Sequence, residues 1–321
     1  MRISNQKIPR GIELNRSLKN MVTTRVGGAA SFFLKIKNEN KLKEAIEWAN
    51  KNKIDWIVLG EGSNLIPNDK GFNGLIIKNE IIDFKIKGNK VFVGSGNNLL
   101  KFILKLNKFG LTGMEKMAGI PGTVGGGLRG SVGAYGQEIK DTVIRIKFYD
   151  VSVLIPQIRW FSKEQCRFDY RESIFKRHKN WIILGAEFEF KKKDSKKLLK
   201  TSKDIIKIRE QKYPPDLLCP GSFFKNIVIR KIKPVSLRKK LLEKIPENKT
   251  IYGKIPAGYL LDVVGARGMR RGNIKIADYH GNLIYNIGDG KSSDILALSK
   301  ILKKKVRNKF GINLEEEIQY L

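Results

Sequence analysis

Residues 120–141 read "IPGTVGGGLRGSVGAYGQEIKD", a stretch with seven glycines in a chain otherwise crowded with Lys and Ile. Glycine loses more backbone freedom on folding than any other residue, so such density is unfavourable unless bare main chain is needed. Three needs meet that description: a tight turn, a closely packed neighbouring strand, or a ligand such as a phosphate reached through successive backbone amides.

A second glycine segment lies upstream. "VLGEGSNLI", residues 58–66, runs from an apolar strand straight into a glycine turn. Neither segment is followed by the GK[ST] of a Walker loop, and neither is a G-x-G-x-x-G opening the helix of a βαβ unit, so the Rossmann fingerprint is absent. On these residues alone, plain turns explain either segment as well as an anion nest does.

Periodicity supplies the surroundings. "KLKEAIEWANKN" (41–52) places Leu42, Ala45, Ile46 and Ala49 at helical spacing, and "NNLLKFILKLNKFG" is an amphipathic helix closed by Gly110. "IDWIVLG", "GLIIKN", "TVIRIKFYDVSV" and "WIILGAEFEFK" read as strands, and "FKIKGNKVFVG" as a hairpin about Gly88-Asn89. "KLLKTSKDIIKIREQK" is a helix stopped by Pro214 and Pro215. Beyond it, "SLRKKLLEKI" and "SSDILALSKILKKKVRNKFG" are helices, with "GNIKIAD" and "GNLIYNIG" as strands between them. The strands come in runs, which indicates an α+β chain with a boundary at the Pro-Pro segment.

The chain has 321 residues, 41% of them hydrophobic, enough for more than one core. Its net charge of +32, from 63 Lys and Arg against 31 Asp and Glu, raises the question of a nucleic-acid partner. The lysines are scattered rather than gathered into a stripe. Asn and Ile are abundant alongside them, as AT-rich coding would produce, and no RNA-binding or helix-turn-helix pattern is present. No nucleic acid is expected as partner. Cys166 and Cys219 form no CxxC, and His178 and His280 are the only histidines, which argues against a metal site and a Ser-His-Asp triad. No apolar run is long enough to cross a bilayer, and the first 20 residues lack the apolar region of a secretory signal. A cytoplasmic monomer without a membrane partner is the expectation.

Four later segments carry reactive side chains: "CRFDYRES" (166–173), "KYPPDLLCPGSFFKN" (212–226), "AGYLLDVVGARGMRRGNIKIADYHGNLIYN" (257–286) and "FGINLEEEI" (310–318). With them in view, the chain resembles the UDP-N-acetylenolpyruvoylglucosamine reductase family over nearly its whole length. "TTRVGGAA" is similar to the family's N-terminal Asn-Thr-x-x-x-Gly-Gly stretch, with Val22 in place of the Asn. "GEGSN" and "AGIPGTVGG…GAYGQEIKD" look like its two flavin-binding segments, and "YRES", "GSFFKN" and "LEEEI" like its three catalytic ones. Ser131 stands where the family usually has Asn.

The resemblance implies an FAD-binding fold of the vanillyl-alcohol oxidase and p-cresol hydroxylase type, in two subdomains at residues 1–80 and 81–212. An α+β substrate domain at 213–312 would follow, with 313–321 returning to the active site. It implies an NADPH-dependent flavoenzyme of peptidoglycan synthesis acting on a UDP-sugar enolpyruvate. FAD would lie against Gly60, Gly62, Ser63, Asn64, Pro121, Gly122, Thr123, Gly125, Gly126, Gly133, Ala134, Tyr135 and Gly136. Arg171 and Glu317 would polarise the substrate carboxylate, and Ser222 would donate a proton to C2. Tyr170, Lys212, Lys225 and Asn226 would bind substrate. Another FAD-dependent oxidoreductase of the same flavin fold is the alternative.

Overall fold

A computed structural model describes residues 8–321. The subdomain expected at residues 1–80 falls partly on residues 1–7, outside the described residues. The described chain up to Arg16, with Ala30–Glu61 and Asn73–Pro215, groups as one compact unit; Ser17–Ala29, Gly62–Phe72 and Asp216–Leu321 group as a second. The grouping is not simply sequential. Two short early segments join the C-terminal residues through main-chain hydrogen bonds: Leu18 N–H to Gly28 C=O, Gly28 N–H to Asn68 C=O, and Asn68 N–H to Leu321 C=O, each 2.9 Å.

The first unit holds two larger sheets. One has the strand order Glu13–Ser17, Ala29–Ile36, Phe72–Asn79, Trp56–Leu59, with the last two parallel and Trp56 opposite Leu75. The helix Glu39–Lys51 turns Leu42, Ala45, Ile46, Trp48 and Ala49 inward, the face its spacing predicts. Trp48 meets Phe32 edge-on, ring centroids 5.3 Å apart.

The other sheet is antiparallel, ordered Gln157–Ser162, Val143–Asp150, Trp181–Glu189, Lys90–Gly94, Phe84–Lys87. Its edge hairpin turns at Gly88, φ +64°, as the Gly-Asn pair indicates. The helix Leu99–Lys108 is capped by Asn98, whose Oδ1 accepts the Lys101 N–H at 2.9 Å, and ends before Gly110 at φ +65°. It buries Leu99, Phe102, Ile103 and Leu106. Phe148 is fully buried, with the rings of Phe161, Phe175 and Trp181 at 4.7, 5.2 and 5.2 Å. Truncating so enclosed an aromatic costs about 3–5 kcal/mol.

The second unit is built on the helix Ser292–Phe310 and a three-stranded antiparallel sheet, Arg270–Arg271, Ile274–Ala277 and His280–Asn286. The helix buries Ile295, Leu298, Leu302, Val306 and Phe310, and Gly311 closes it in the left-handed conformation. Its N-terminus is capped from far away in the chain. The Asp69 carboxylate accepts the amides of Ser292 and Ser293 at 2.7 and 3.0 Å. Burial raises the Asp69 pKa, the bonds from Ser293 and Ser292 outweigh it, and the carboxyl lies below its ordinary value. The chain ends in a short parallel pairing of Gln319–Tyr320 with Leu65–Ile66. No helix among the described residues is long and apolar enough to cross a membrane.

Candidate active site

The glycine stretch contains a helix, Val124–Gly130, despite three consecutive glycines. Each glycine disfavours a helix by about 1 kcal/mol relative to Ala, so tertiary packing decides the conformation here. A Cβ on Gly125 would lie 2.7 Å from Ser95 Cβ, and one on Gly127 would lie 3.0 Å from Val132 Cγ1. Thr123 caps the helix through Oγ1, which accepts the Gly126 N–H at 3.2 Å, and that hydroxyl lies 2.7 Å from where a Gly60 Cβ would stand. Much of the glycine requirement is thus set by protein against protein. Gly126 and Gly130 differ: the first has nothing nearer than Thr123 Oγ1 at 3.5 Å, the second nothing within 4 Å.

The amide donors are distributed unevenly. Gly122 N–H goes to Glu61 Oε2 (3.0 Å), Val124 N–H to Asn97 C=O (2.8 Å) and Gly125 N–H to Ser95 C=O (2.8 Å). The amides of Gly60, Glu61 and Gly62, successive in the chain, have no hydrogen-bond acceptor among the described residues. Buried or half-buried N–H groups without a partner are rare, and a run of them is the donor set a phosphate needs. Downstream, Gly133-Ala134 pairs with Gln137-Glu138 around Tyr135 and Gly136, at φ +49° and +82°, a type I′ hairpin. The Ser131 hydroxyl is buried without a partner. Open amides, an orphaned buried hydroxyl and open space at Gly126 and Gly130 fit a diphosphate-bearing cofactor.

Tyr170 and Arg171 form the tip of a turn in which Asp169 and Glu172 exchange both main-chain hydrogen bonds, at 2.9 and 3.1 Å. Arg171 takes a left-handed φ of +55°, unusual for a side chain of that size. Its Nη2 donates to the Gly133 C=O at 3.0 Å, which joins the turn to the glycine hairpin. Sequence reasoning passed over Arg209, on the helix Ser195–Lys212. The Arg209 guanidinium sits 5.4 Å from the Tyr213 ring centre, and its Nε is buried without a partner. Burial lowers its pKa, Tyr213 and Tyr135 oppose that, and Arg171 lowers it further. Lys212 ends the same helix, with Nζ 5.1 Å from the Tyr213 ring centre. Only burial would have distinguished Arg209 from its many basic neighbours, and the sequence does not carry that.

In the second unit, Ser222 lies in an irregular segment after Gly221, φ +84°, with no helix for it to cap. The next residues run antiparallel to the chain end. Glu317 N–H donates to Phe223 C=O at 2.8 Å, Phe224 bridges Glu316, and Lys225 N–H donates to Glu315 C=O at 2.9 Å. The "GSN" segment joins the same end: Asn64 Nδ2 donates to Glu317 C=O at 3.0 Å, and Asn64 C=O accepts the Gln319 N–H at 2.9 Å. Ser63 C=O accepts from Thr23 Oγ1 at 3.4 Å. Lys225 is buried and its ammonium pairs with Glu315. Asn226 Oδ1 accepts the Ala257 N–H at 3.1 Å, fixing the start of the helix Ala257–Val263.

The three successive glutamates therefore have different surroundings. Glu316 accepts from Ser299 Oγ at 2.7 Å and from the Lys303 ammonium. Burial raises its pKa, the bonds from Lys303 and Ser299 outweigh that, and the carboxyl lies below the ordinary glutamate value. Among the described residues, no three His, Cys, Asp or Glu side chains are grouped to hold a metal ion. Burial pushes the Cys166 thiol up to about 12, as befits a packed, unreactive side chain.

Residues 30–152 match the family described as FAD binding domain. With the glycine loops above, they make the first unit a flavin-binding domain, and the protein a flavoprotein oxidoreductase. Residues 214–321 match the family described as UDP-N-acetylenolpyruvoylglucosamine reductase, C-terminal domain. A UDP-N-acetylenolpyruvoylglucosamine reductase of Solibacter usitatus is 42% identical over 92% of each chain. One of Carboxydothermus hydrogenoformans is 31% identical over 96% of this chain and 93% of its own. The crystal structure of UDP-N-acetylenolpyruvylglucosamine reductase from Thermus caldophilus superposes with a TM-score of 0.74 at 26% identity, covering 96% of this chain and 98% of that one. The chain belongs to the UDP-N-acetylenolpyruvoylglucosamine reductase family.

Proposed function

We propose that the protein reduces the enolpyruvyl group of UDP-N-acetylglucosamine enolpyruvate to give UDP-N-acetylmuramate, with NADPH as the source of hydride. When bound, FAD would supply hydride-transfer chemistry between NADPH and C3 of the enolpyruvyl group. An enol ether is not electrophilic by itself, so the protein must draw electron density toward the substrate carboxylate. Arg171 grips that carboxylate with its planar fork and stabilises the charge that grows there in the transition state. Glu317 assists the polarisation. Ser222 gives its proton to C2, which completes the net addition of hydride and proton across the double bond. Tyr170, Lys212, Lys225 and Asn226 serve the UDP-sugar.

The observation that carries this reading is the bond from the Glu317 amide to the Phe223 carbonyl, 2.8 Å, which registers the terminal carboxylate segment against the residue next to Ser222. The test is anaerobic absorbance of the purified flavoprotein. NADPH should bleach the flavin band, and enolpyruvyl-UDP-N-acetylglucosamine should restore it. A reduced flavin that this compound fails to reoxidise would point to another substrate of the same flavin fold.

A further inference from the structure

We propose that Glu61 is a positioning residue for the flavin, and that its carboxylate braces the open amides of the first glycine loop against the second. Both carboxylate oxygens are used inside the protein. Oε1 accepts from Asn98 Nδ2 at 2.7 Å and Oε2 accepts the Gly122 N–H at 3.0 Å. These two donors sit at one junction. Asn98 caps the helix Leu99–Lys108 and bridges Thr123, and Gly122 C=O accepts the Leu99 N–H at 2.9 Å. A single side chain thus ties the "GEG" loop to the cap of one helix and the approach to another.

Two further contacts hold the same loop. The Lys78 ammonium bonds the Gly60 carbonyl, and Thr123 fills the space beside Gly60 Cα. Burial lowers the Lys78 pKa, and the Glu61 charge raises it. What remains without a protein partner is the row of amides from Gly60 to Gly62. A carboxylate beside a diphosphate would ordinarily repel it. With both oxygens satisfied by N–H donors, Glu61 instead fixes the loop while its own main-chain N–H stays available. The position is legible as "x" in G-x-G-S-N, where nothing about the spacing asks for an acid.

The inference rests on these glycine loops holding the flavin, and the experiment separates the two. FAD is titrated into apoprotein, followed by flavin fluorescence, for wild type, Glu61→Ala, Glu61→Gln, Asn98→Ala, the Glu61→Ala/Asn98→Ala pair, and Gly126→Leu. Glu61→Ala should weaken FAD binding by about tenfold or more, the loss of two charge-assisted hydrogen bonds. Glu61→Gln, which keeps one acceptor oxygen, should recover part of the loss. The double variant should be no weaker than Glu61→Ala alone, and the absorption band of bound FAD should be unchanged, because Glu61 acts on the loop and not on the ring. If Glu61→Ala does not fold, Asn98→Ala and Glu61→Gln carry the test. Affinity unchanged within about twofold across these variants, or tightened by them, overturns the proposal. Gly126→Leu fills the open space of the second loop. If it leaves FAD affinity intact, the loop assignment itself fails, whatever Glu61 does.

Discussion

The glycine cradle of the first unit and the Ser222–Glu317 ladder of the second reach defined geometry by opposite means. The cradle is shaped by missing atoms. Gly60, Gly125 and Gly133 each stand where a Cβ would come within 2.7 Å of a protein atom, and few side chains are spent there. The ladder is shaped by added charge. Its three successive glutamates meet Lys225, then Ser299 with Lys303, then the Phe223 main chain. A cradle of this kind should be damaged by gaining one carbon. A ladder of this kind should be damaged by losing one oxygen or by gaining a proton.

The largest effect is expected from the smallest deletion on the ladder. Ser222→Ala removes one hydroxyl. Reduction of bound flavin by NADPH should be nearly unchanged, while reoxidation by the enolpyruvyl substrate should fall by about a thousandfold, the range of general acid catalysis. Stopped-flow absorbance reads the two halves separately. Equal losses in both would mean a damaged fold and no special role for Ser222.

Next comes an addition to the cradle, and the comparison is sharpest inside one helix. Gly125→Ala places a carbon 2.7 Å from Ser95 Cβ and 3.0 Å from Ser95 O, so it should destabilise the apoprotein by about 2–3 kcal/mol in urea unfolding, despite the better helix propensity of Ala. Gly130→Ala, in the same helix with nothing within 4 Å, should stabilise it by about 0.5–1 kcal/mol. The same sign for both variants would mean that packing does not set the glycine pattern.

That helix also shows what the sequence conceals. Helices 39–51, 99–108, 195–212 and 292–310 and their neighbouring strands are legible from apolar spacing, because each buries one face. The helix 124–130 is not, since its glycines argue against it locally and the contacts that favour it come from Ser95, Val132 and Ile139. The cap on Ser292 is equally hidden, because its carboxylate is Asp69, 223 residues upstream. The segments 17–29 and 62–72 belong with the C-terminal residues through main-chain bonds, which leave no side-chain pattern. In the candidate site, motifs name Arg171, Ser222 and Glu317, whereas the orphaned Nε of Arg209 and the bracing carboxylate of Glu61 emerge only from burial and distance.

The ladder's dependence on charge gives a pH signature. The Glu316 pKa is depressed in the folded protein, so the unfolded state binds the proton more readily. Its stabilisation is complete above the unfolded value, about 4.3, and is lost as pH falls through the folded value. Glu316→Gln should cost about 1–2 kcal/mol at neutral pH, from charge-assisted bonds to Ser299 and Lys303. The gap from wild type should close as the solution is acidified. Denaturant midpoints across pH measure it, and a gap that persists at the acid end would show that the Glu316 charge contributes nothing.

The smallest effect lies in the cradle, at Ser131. Ser131 closes the helix 124–130 in the left-handed conformation, φ +47°, and buries a hydroxyl with no partner. Both features are unfavourable in the free protein: a side chain at positive φ is strained, and an unmade buried hydrogen bond forfeits solvation. Ser131→Gly removes both. It should raise the unfolding free energy of the apoprotein by about 1 kcal/mol, less whatever entropy the unfolded chain gains. If the hydroxyl is reserved for the flavin, the same variant should bind FAD more weakly, so that its advantage shrinks or reverses in the loaded protein. Ser131→Asn should stabilise the free form by a smaller margin, since Asn tolerates the left-handed region better than Ser while keeping a polar group. Thermal midpoints with and without FAD decide between a reserved hydroxyl and a merely tolerated one. An equal gain in both states excludes a flavin contact at this position, and leaves Arg209 and the amides of residues 60–62 as the unsatisfied groups through which the cradle would meet its ligand.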